Sequence, residues 1–249
     1  MKKIGWAVIA VILPVALGIY LNRAYAHIFS EINHVHLVSP DKSYSYSFSN
    51  SSLNSAGVMY VALGDSLTAG VGTNSYTESY PYLVAQQLAS SNNITLKDLG
   101  EAGFTSSNVK ATLLAKAIAN QPNIVTLLIG VNDIHDSVSA ATFKENYQAI
   151  VATLQQQTKA KIYAISIPYL GSNQLMLPPY NYYYDLKTNQ FNAIIQSIAK
   201  ADGIPYIDIY APSKSAFAAS DSFYAPDLFH PSAKGYALWA TIIYDHIRT

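Results

Sequence analysis

Apolar positions along this chain fall into two regimes. The first is one block, the uncharged run Ile4–Leu21, with Lys2 and Lys3 before it and Arg23 after it. As a helix the run would extend roughly 27 Å, close to the ~30 Å hydrocarbon core of a bilayer. It has no polar face, which predicts a helix in lipid and not one lying on a soluble core. Ala24-Tyr25-Ala26 has the small-x-small form of a cleavage site before His27. Residues 1–26 therefore read either as a secretory signal peptide or as an uncleaved anchor with its N-terminus inside, as the two lysines specify. Both readings make the remainder secreted or extracytoplasmic and membrane-anchored, with residues 4–21 as the membrane contact. Residues 27–57 are rich in Ser and Tyr and nearly free of charge, the composition of a linker. Within them the alternation in SYSYSFS also suits a short edge strand.

The second regime begins at Val58, where short apolar runs alternate with helical patterns. The runs VMYVAL (58–63), ITLKDL (94–99), NIVTLLIG (123–130), KIYAISIP (161–168) and IPYIDIY (204–210) predict strands. Helical periodicity lies near 79–91, 107–120, 140–158 and 186–202, and a last helix runs from about Ser232, which is placed to cap it. The third and fourth runs are almost wholly apolar, as expected of strands covered on both faces. Five strands separated by helices predict right-handed crossovers, a five-stranded parallel sheet and a three-layer α/β/α sandwich over residues 58–249.

Hydrophobic residues make up 50% of the chain and charged residues 12%, with zero formal net charge. That excludes a disordered chain and the basic footprint of a nucleic-acid binder. With no cysteine there is no disulfide, thiolate metal site or Cys-linked lipid. His34 and His36 have strand spacing for one face but no third ligand nearby, so no metal site is assigned. The 20 tyrosines suit either a plain core or a groove that contacts carbohydrate or acyl groups.

Ligands of parallel α/β sheets bind beyond the carboxyl ends of the strands. The residues found there are Gly64-Asp65-Ser66, then GEAGFTS (100–106), GVND (130–133), a tyrosine-rich loop, and DLFHP (227–231). Neither G-x-S-x-G nor a phosphate-binding glycine loop is present. GDSLTAG, LGEAGFTS, GVND and DLFHP, in that order, resemble the four blocks of the SGNH/GDSL hydrolase family of esterases and lipases. The resemblance covers about residues 58–249. It implies a flavodoxin-like α/β fold and ester hydrolysis without metal or organic cofactor. Asp98 stands where family members often carry Asn, which implies a changed local hydrogen bond.

The resemblance puts Ser66 at the nucleophile, Gly103 and Asn132 at the glycine and asparagine of the middle blocks, and Asp227 and His230 at the acid and base. The chemistry of these residues agrees. A serine hydroxyl needs an adjacent base, and an imidazole with a pKa near ~6.5 can take and return its proton. His27, His34 and His36 lie in the tether and His246 on the last helix, leaving His135 as the one rival to His230. Asp227, three residues before His230, can hold the Nδ1–H. Ser66 N–H, Gly103 N–H and the Asn132 amide are the expected oxyanion donors. Asp65 and Asp133 are expected to cap turns. The loop 169–185, with Tyr180 and Tyr182, is the expected substrate-contacting segment or lid. The natural reading is a serine hydrolase acting on small-molecule, lipid or acylated-carbohydrate esters. A carbohydrate O-acetyl esterase, an acyltransferase and a non-catalytic envelope-binding module are the alternatives.

Overall fold

The computed structural model describes residues 2–35, 37, 39–40, 45–49, 57–169 and 171–248, without the side chains of residues 2–11, 29, 33 and 34. Residues 41–44 and 50–56 of the expected linker, His36, and the side chain of His34 lie outside the described residues. So do the first side chains of the run Ile4–Leu21. No helix among the described residues is long and apolar enough to cross a membrane.

Among the described residues six strands form one sheet: β1 (Ser45–Phe48), β2 (Gly57–Gly64), β3 (Asn93–Gly100), β4 (Ile124–Leu128), β5 (Lys161–Ile165) and β6 (Tyr206–Ile207), in the spatial order β1-β3-β2-β4-β5-β6. Strands β2 to β6 are parallel, in the order 2-1-3-4-5 when counted among themselves. That is the flavodoxin-like order. The expected five-stranded sheet needs one correction. SYSYSFS supplies an antiparallel edge strand, with Ser45 opposite Lys97 and Phe48 opposite Ile94. Its Tyr46 ring stacks on Tyr76 at 4.9 Å and its Phe48 ring meets Tyr82 edge-on at 5.1 Å, so the alternation is read by aromatic contacts on one face.

Among the described residues ten α-helices accompany the sheet: α1 (Lys2–Val35), α2 (Ser66–Ala69), α3 (Tyr80–Leu88), α4 (Ser106–Asn108), α5 (Leu114–Ala119), α6 (Val131–His135), α7 (Ala140–Gln157), α8 (Tyr180–Ala201), α9 (Tyr210–Ala219) and α10 (Ala233–Ile247). A π-helical turn, Val109–Leu113, joins α4 to α5. Helix α3 packs with α10, while α7 packs with α5 and α8. Between these layers the central strands are mostly apolar: Tyr60 to Leu63 of β2 and Val125, Leu127 and Leu128 of β4 are fully buried. Many tyrosines serve this core, including Tyr60, Tyr76, Tyr80, Tyr147, Tyr163 and Tyr236. Five of these six hydroxyls find partners inside it, as in Tyr60 Oη to Thr126 Oγ1 at 3.0 Å and Tyr236 Oη donating to Val71 O at 2.8 Å, while Tyr147 Oη has none among the described residues.

Two stretches depart from the periodicity. The fifth run shrinks to β6 because Asp208 turns the chain into a helix. Its Oδ1 accepts from Tyr210 N at 2.8 Å, while Ser166 Oγ accepts from Ile209 N at 2.8 Å. Helix α8 begins at Tyr180, not near residue 186, with Pro179 at its N-cap. Part of the expected loop 169–185 is therefore helix, and its Leu175 and Met176 belong to the core.

Helix α1 runs through Ala26 without a break. Its second half lies on the domain: Ala24 and Ile28 are buried. Tyr20 Oη donates to Pro178 O at 2.8 Å, Tyr180 Oη donates to Leu21 O at 3.2 Å, and His27 Nε2 donates to Gln174 O at 3.1 Å.

Gly64, the last residue of β2, is packed too closely to carry a side chain. A Cβ there would sit 2.3 Å from Leu128 O and 2.2 Å from Thr68 Oγ1. The backbone oxygen cannot yield, so Gly64→Ala should lower stability by about 2–3 kcal/mol, as overpacking does. Urea unfolding monitored by tryptophan fluorescence reads this directly. An unchanged midpoint and slope would contradict it.

Candidate active site

The central strand β2 ends between β3 and β4, and the chain turns into α2 at once. Asp65 caps that helix, its Oδ1 accepting from Leu67 N at 2.9 Å. Ser66 follows, 7% exposed, at the end of the sheet where the strand order reverses. That reversal opens a crevice in sheets of this kind.

His230 and Asp227 arrive from a loop just before α10. Its ends are clasped: Tyr224 bridges Pro231, and Ala225 N donates to His230 O at 2.7 Å. Inside the clasp Asp227 Oδ1 accepts from Phe229 N at 3.1 Å and His230 N at 3.0 Å, across Leu228 at φ +59°. The other carboxylate oxygen lies 2.5 Å from His230 Nδ1. The far ring nitrogen, Nε2, lies 3.1 Å from Ser66 Oγ. Asp227 is buried and His230 is nearly so. A serine, an imidazole and a carboxylate thus form one hydrogen-bonded line. His135, the rival base, ends α6 and lines the same cavity, but the contact with Ser66 Oγ is made by His230.

Gly103 lies in the loop after β3 at φ +79°, a conformation glycine adopts without strain. The space a Cβ would occupy there is open. Asn132, on α6 after β4, donates one Nδ2–H to Phe104 O at 2.9 Å. An amide nitrogen carries two hydrogens, so this bond orients the group and leaves the second to point elsewhere. Asp133 ties the two loops together, its Oδ2 accepting from Ser106 N at 2.8 Å and its Oδ1 from Ser106 Oγ at 2.5 Å. Burial pushes the Asp133 carboxyl up, opposed by these bonds. Beneath them Asp98 accepts from Gly100 N at 2.6 Å and from the Tyr76 hydroxyl. A carboxylate accepts both bonds, which gives the acid found in place of asparagine a local structural role.

Ser66, Gly103, Asn132 and His230 all line one cavity of about 230 Å³. So do Ile32, Leu37 and Ser39 from the N-terminal segment, whose composition is that of a linker. The signal was available: Ala24, Ile28 and Ile32 repeat at the spacing of one helix face. Tyr180 lines a neighbouring cavity, with Tyr25, Tyr183 and Tyr184. Tyr182 lines neither and is 72% exposed.

The sequence profile of the GDSL-like Lipase/Acylhydrolase family matches residues 62–238. No curated protein matches the chain. Among solved structures, the chain is similar to the lipase/acylhydrolase from Enterococcus faecalis, with a TM-score of 0.64 and 23% identity over 77% of this chain and 95% of that one. It is also similar to an acetylxylan esterase from Geobacillus stearothermophilus, with a TM-score of 0.61 and 20% identity over 77% and 94% of the two chains. At these identities the likeness is one of fold.

Asp65 links the site to pH. Its carboxyl is fully buried, and its Oδ2 has no partner among the described residues. Burial pushes its pKa from 3.8 to about 7, partly offset by the Leu67 N–H and increased by the nearby Asp133 charge. Between those values the folded chain holds a proton that the unfolded chain has released. The stability linked to this group is thus full below the unfolded value and is lost as pH rises through about 7. Asp65→Asn keeps an acceptor for Leu67 N–H and removes the titration. Its thermal midpoint should exceed that of the wild type near pH 8 but not near pH 4, the ceiling being on the order of 4 kcal/mol. Parallel midpoints across the range would overturn this.

Proposed function

Because this chain belongs to the GDSL-like lipase/acylhydrolase family, we propose that it is a serine hydrolase that cleaves carboxylic esters through an acyl-enzyme on Ser66. The observation that carries the reading is the unbroken line from Ser66 Oγ through His230 to Asp227, at 3.1 and 2.5 Å.

In the proposed reaction Ser66 Oγ attacks the acyl carbonyl carbon as His230 Nε2 takes its proton. Asp227 holds Nδ1–H and stabilises the imidazolium without itself being protonated. The carbonyl oxygen becomes an anion facing Ser66 N–H, Gly103 N–H and the free Nδ2–H of Asn132. These donors are set before the reaction starts, so they need no reorganisation as charge develops. His230 then returns the proton to the leaving alcohol, and the C–O bond to that alcohol breaks. Water, deprotonated by the same imidazole, attacks the acyl-enzyme and releases the acid with Ser66 regenerated. An alcohol in place of water would give the acyltransferase.

We also place the domain outside the cytoplasm, held at a membrane by α1. Ile12, Leu13, Val15, Leu17 and Ile19 are each more than half exposed, and large apolar side chains around a helix are favoured in lipid over water. The chain should stay with the membrane fraction through an alkaline carbonate wash, and release by that wash would refute the tether.

The activity assay is hydrolysis of a short p-nitrophenyl ester. Ser66→Ala should abolish it with the thermal midpoint retained, and a fluorophosphonate probe should label the wild type on Ser66 alone. Asn132→Ala should lower kcat by about 10²–10³ while leaving labelling detectable, the usual loss for one oxyanion donor. Wild-type protein that neither hydrolyses esters nor accepts the probe would favour a binding module. Faster turnover of acetylated xylo-oligosaccharides than of any acyl ester would favour the carbohydrate esterase.

A further inference from the structure

We infer that α1 and the segment after it form a wall of the substrate groove, and that this groove takes an acyl chain longer than acetyl. The inference rests on the ester-hydrolase reading and names the acyl class for the same site.

Helix α1 is fastened where it meets the domain. Ala24 and Ile28 are 2% and 1% exposed, and three hydrogen bonds join Tyr20, Leu21 and His27 to the segment that leads into α8. One turn beyond Ile28, Ile32 reaches the cavity that holds Ser66 and His230, and Leu37 and Ser39 continue the same wall. Two turns before Ile32, roughly 10 Å back along the axis, Tyr25 lines a second cavity of about 320 Å³. Its other walls are Ile134, Ser137 and the tyrosines that open α8. His135 lines both cavities, so the two adjoin.

The character of the walls selects the ligand. Among the described residues no Asp, Glu, Lys or Arg lines either cavity. The path from the nucleophile outward is therefore neutral and largely apolar. The first cavity alone, about 230 Å³, is several times the ~30 Å³ share of one water, so an acetyl group would leave most of it unfilled. A sugar would draw on the hydroxyls of the lining, and one of these, that of Tyr180, already donates to Leu21 O. An acyl chain needs only apolar walls.

The test uses the full chain and p-nitrophenyl acetate, butyrate and octanoate. Wild-type kcat/KM should rise from acetate to octanoate. Ile32→Trp, which fills the groove, should lower the octanoate-to-acetate ratio by about tenfold or more, the scale on which a pocket reads one or a few methylenes. Circular dichroism and the thermal midpoint check that this variant folds. Should it not fold, Leu37→Ala removes wall without overpacking and should lower the same ratio. An enzyme that is active and labelled on Ser66 but whose ratio is unmoved in the folded variant, or whose wild-type profile falls from acetate onward, overturns the groove alone. A wild type that neither turns over nor labels overturns the ester-hydrolase reading, and the groove with it.

Discussion

Parallel pairing of β2 with both β3 and β4 is the constraint from which the remaining geometry follows. Each connection must cross over a face, so helices cover both sides and the five parallel strands all end on one edge. The order of the pairs then reverses at β2, which separates the loops after β2 and β4 and leaves a crevice between them. Ser66 stands at that crevice because Gly64 admits Thr68 and Leu128 O where a side chain would be. Gly103 and Asn132 flank it because β3 and β4 are its neighbours. His230 reaches it from outside the sheet, on the loop that enters α10.

Three carboxylates brace this edge from beneath: Asp65, Asp98 and Asp133, all fully buried. Each accepts from a backbone N–H of a loop at the rim, from Leu67, Gly100 and Ser106 respectively. A charged acceptor makes such bonds stronger than a neutral one would. The same burial disfavours the charge, as the raised pKa of Asp65 and Asp133 shows. Rigidity at the rim and tolerance of alkaline pH therefore oppose one another in this fold.

Much of this was legible in the chain. The runs 123–130 and 161–168 are almost wholly apolar because both faces are covered, and they, like 58–63 and 94–99, supply strands. The four motif blocks carried Ser66, Gly103, Asn132, Asp227 and His230 because side-chain identity and order along the chain are sequence properties. Other features depend on partners distant in sequence. β6 stops where Ser166 and Asp208 bind the next backbone amides. The early start of α8 was hidden by Pro178 and Pro179, which read as loop although proline is tolerated where a helix begins. Ile32 and Leu37 were missed for a different reason. The uncharged run before them dominates the N-terminal pattern, and a helix face that docks looks much like one that dissolves in lipid.

The two links of the Ser66–His230–Asp227 line are mechanically unequal. Asp227 and His230 share one clasped loop and are three residues apart, whereas Ser66 and His230 are separated by 164 positions. Any drift of that loop relative to the sheet moves the imidazole and its carboxylate as one body. The short link is carried along, and the whole displacement appears at the 3.1 Å contact. Loosening of the molecule by heat or denaturant would therefore disconnect Ser66 first, leaving an imidazole still held by its carboxylate but out of reach of the hydroxyl.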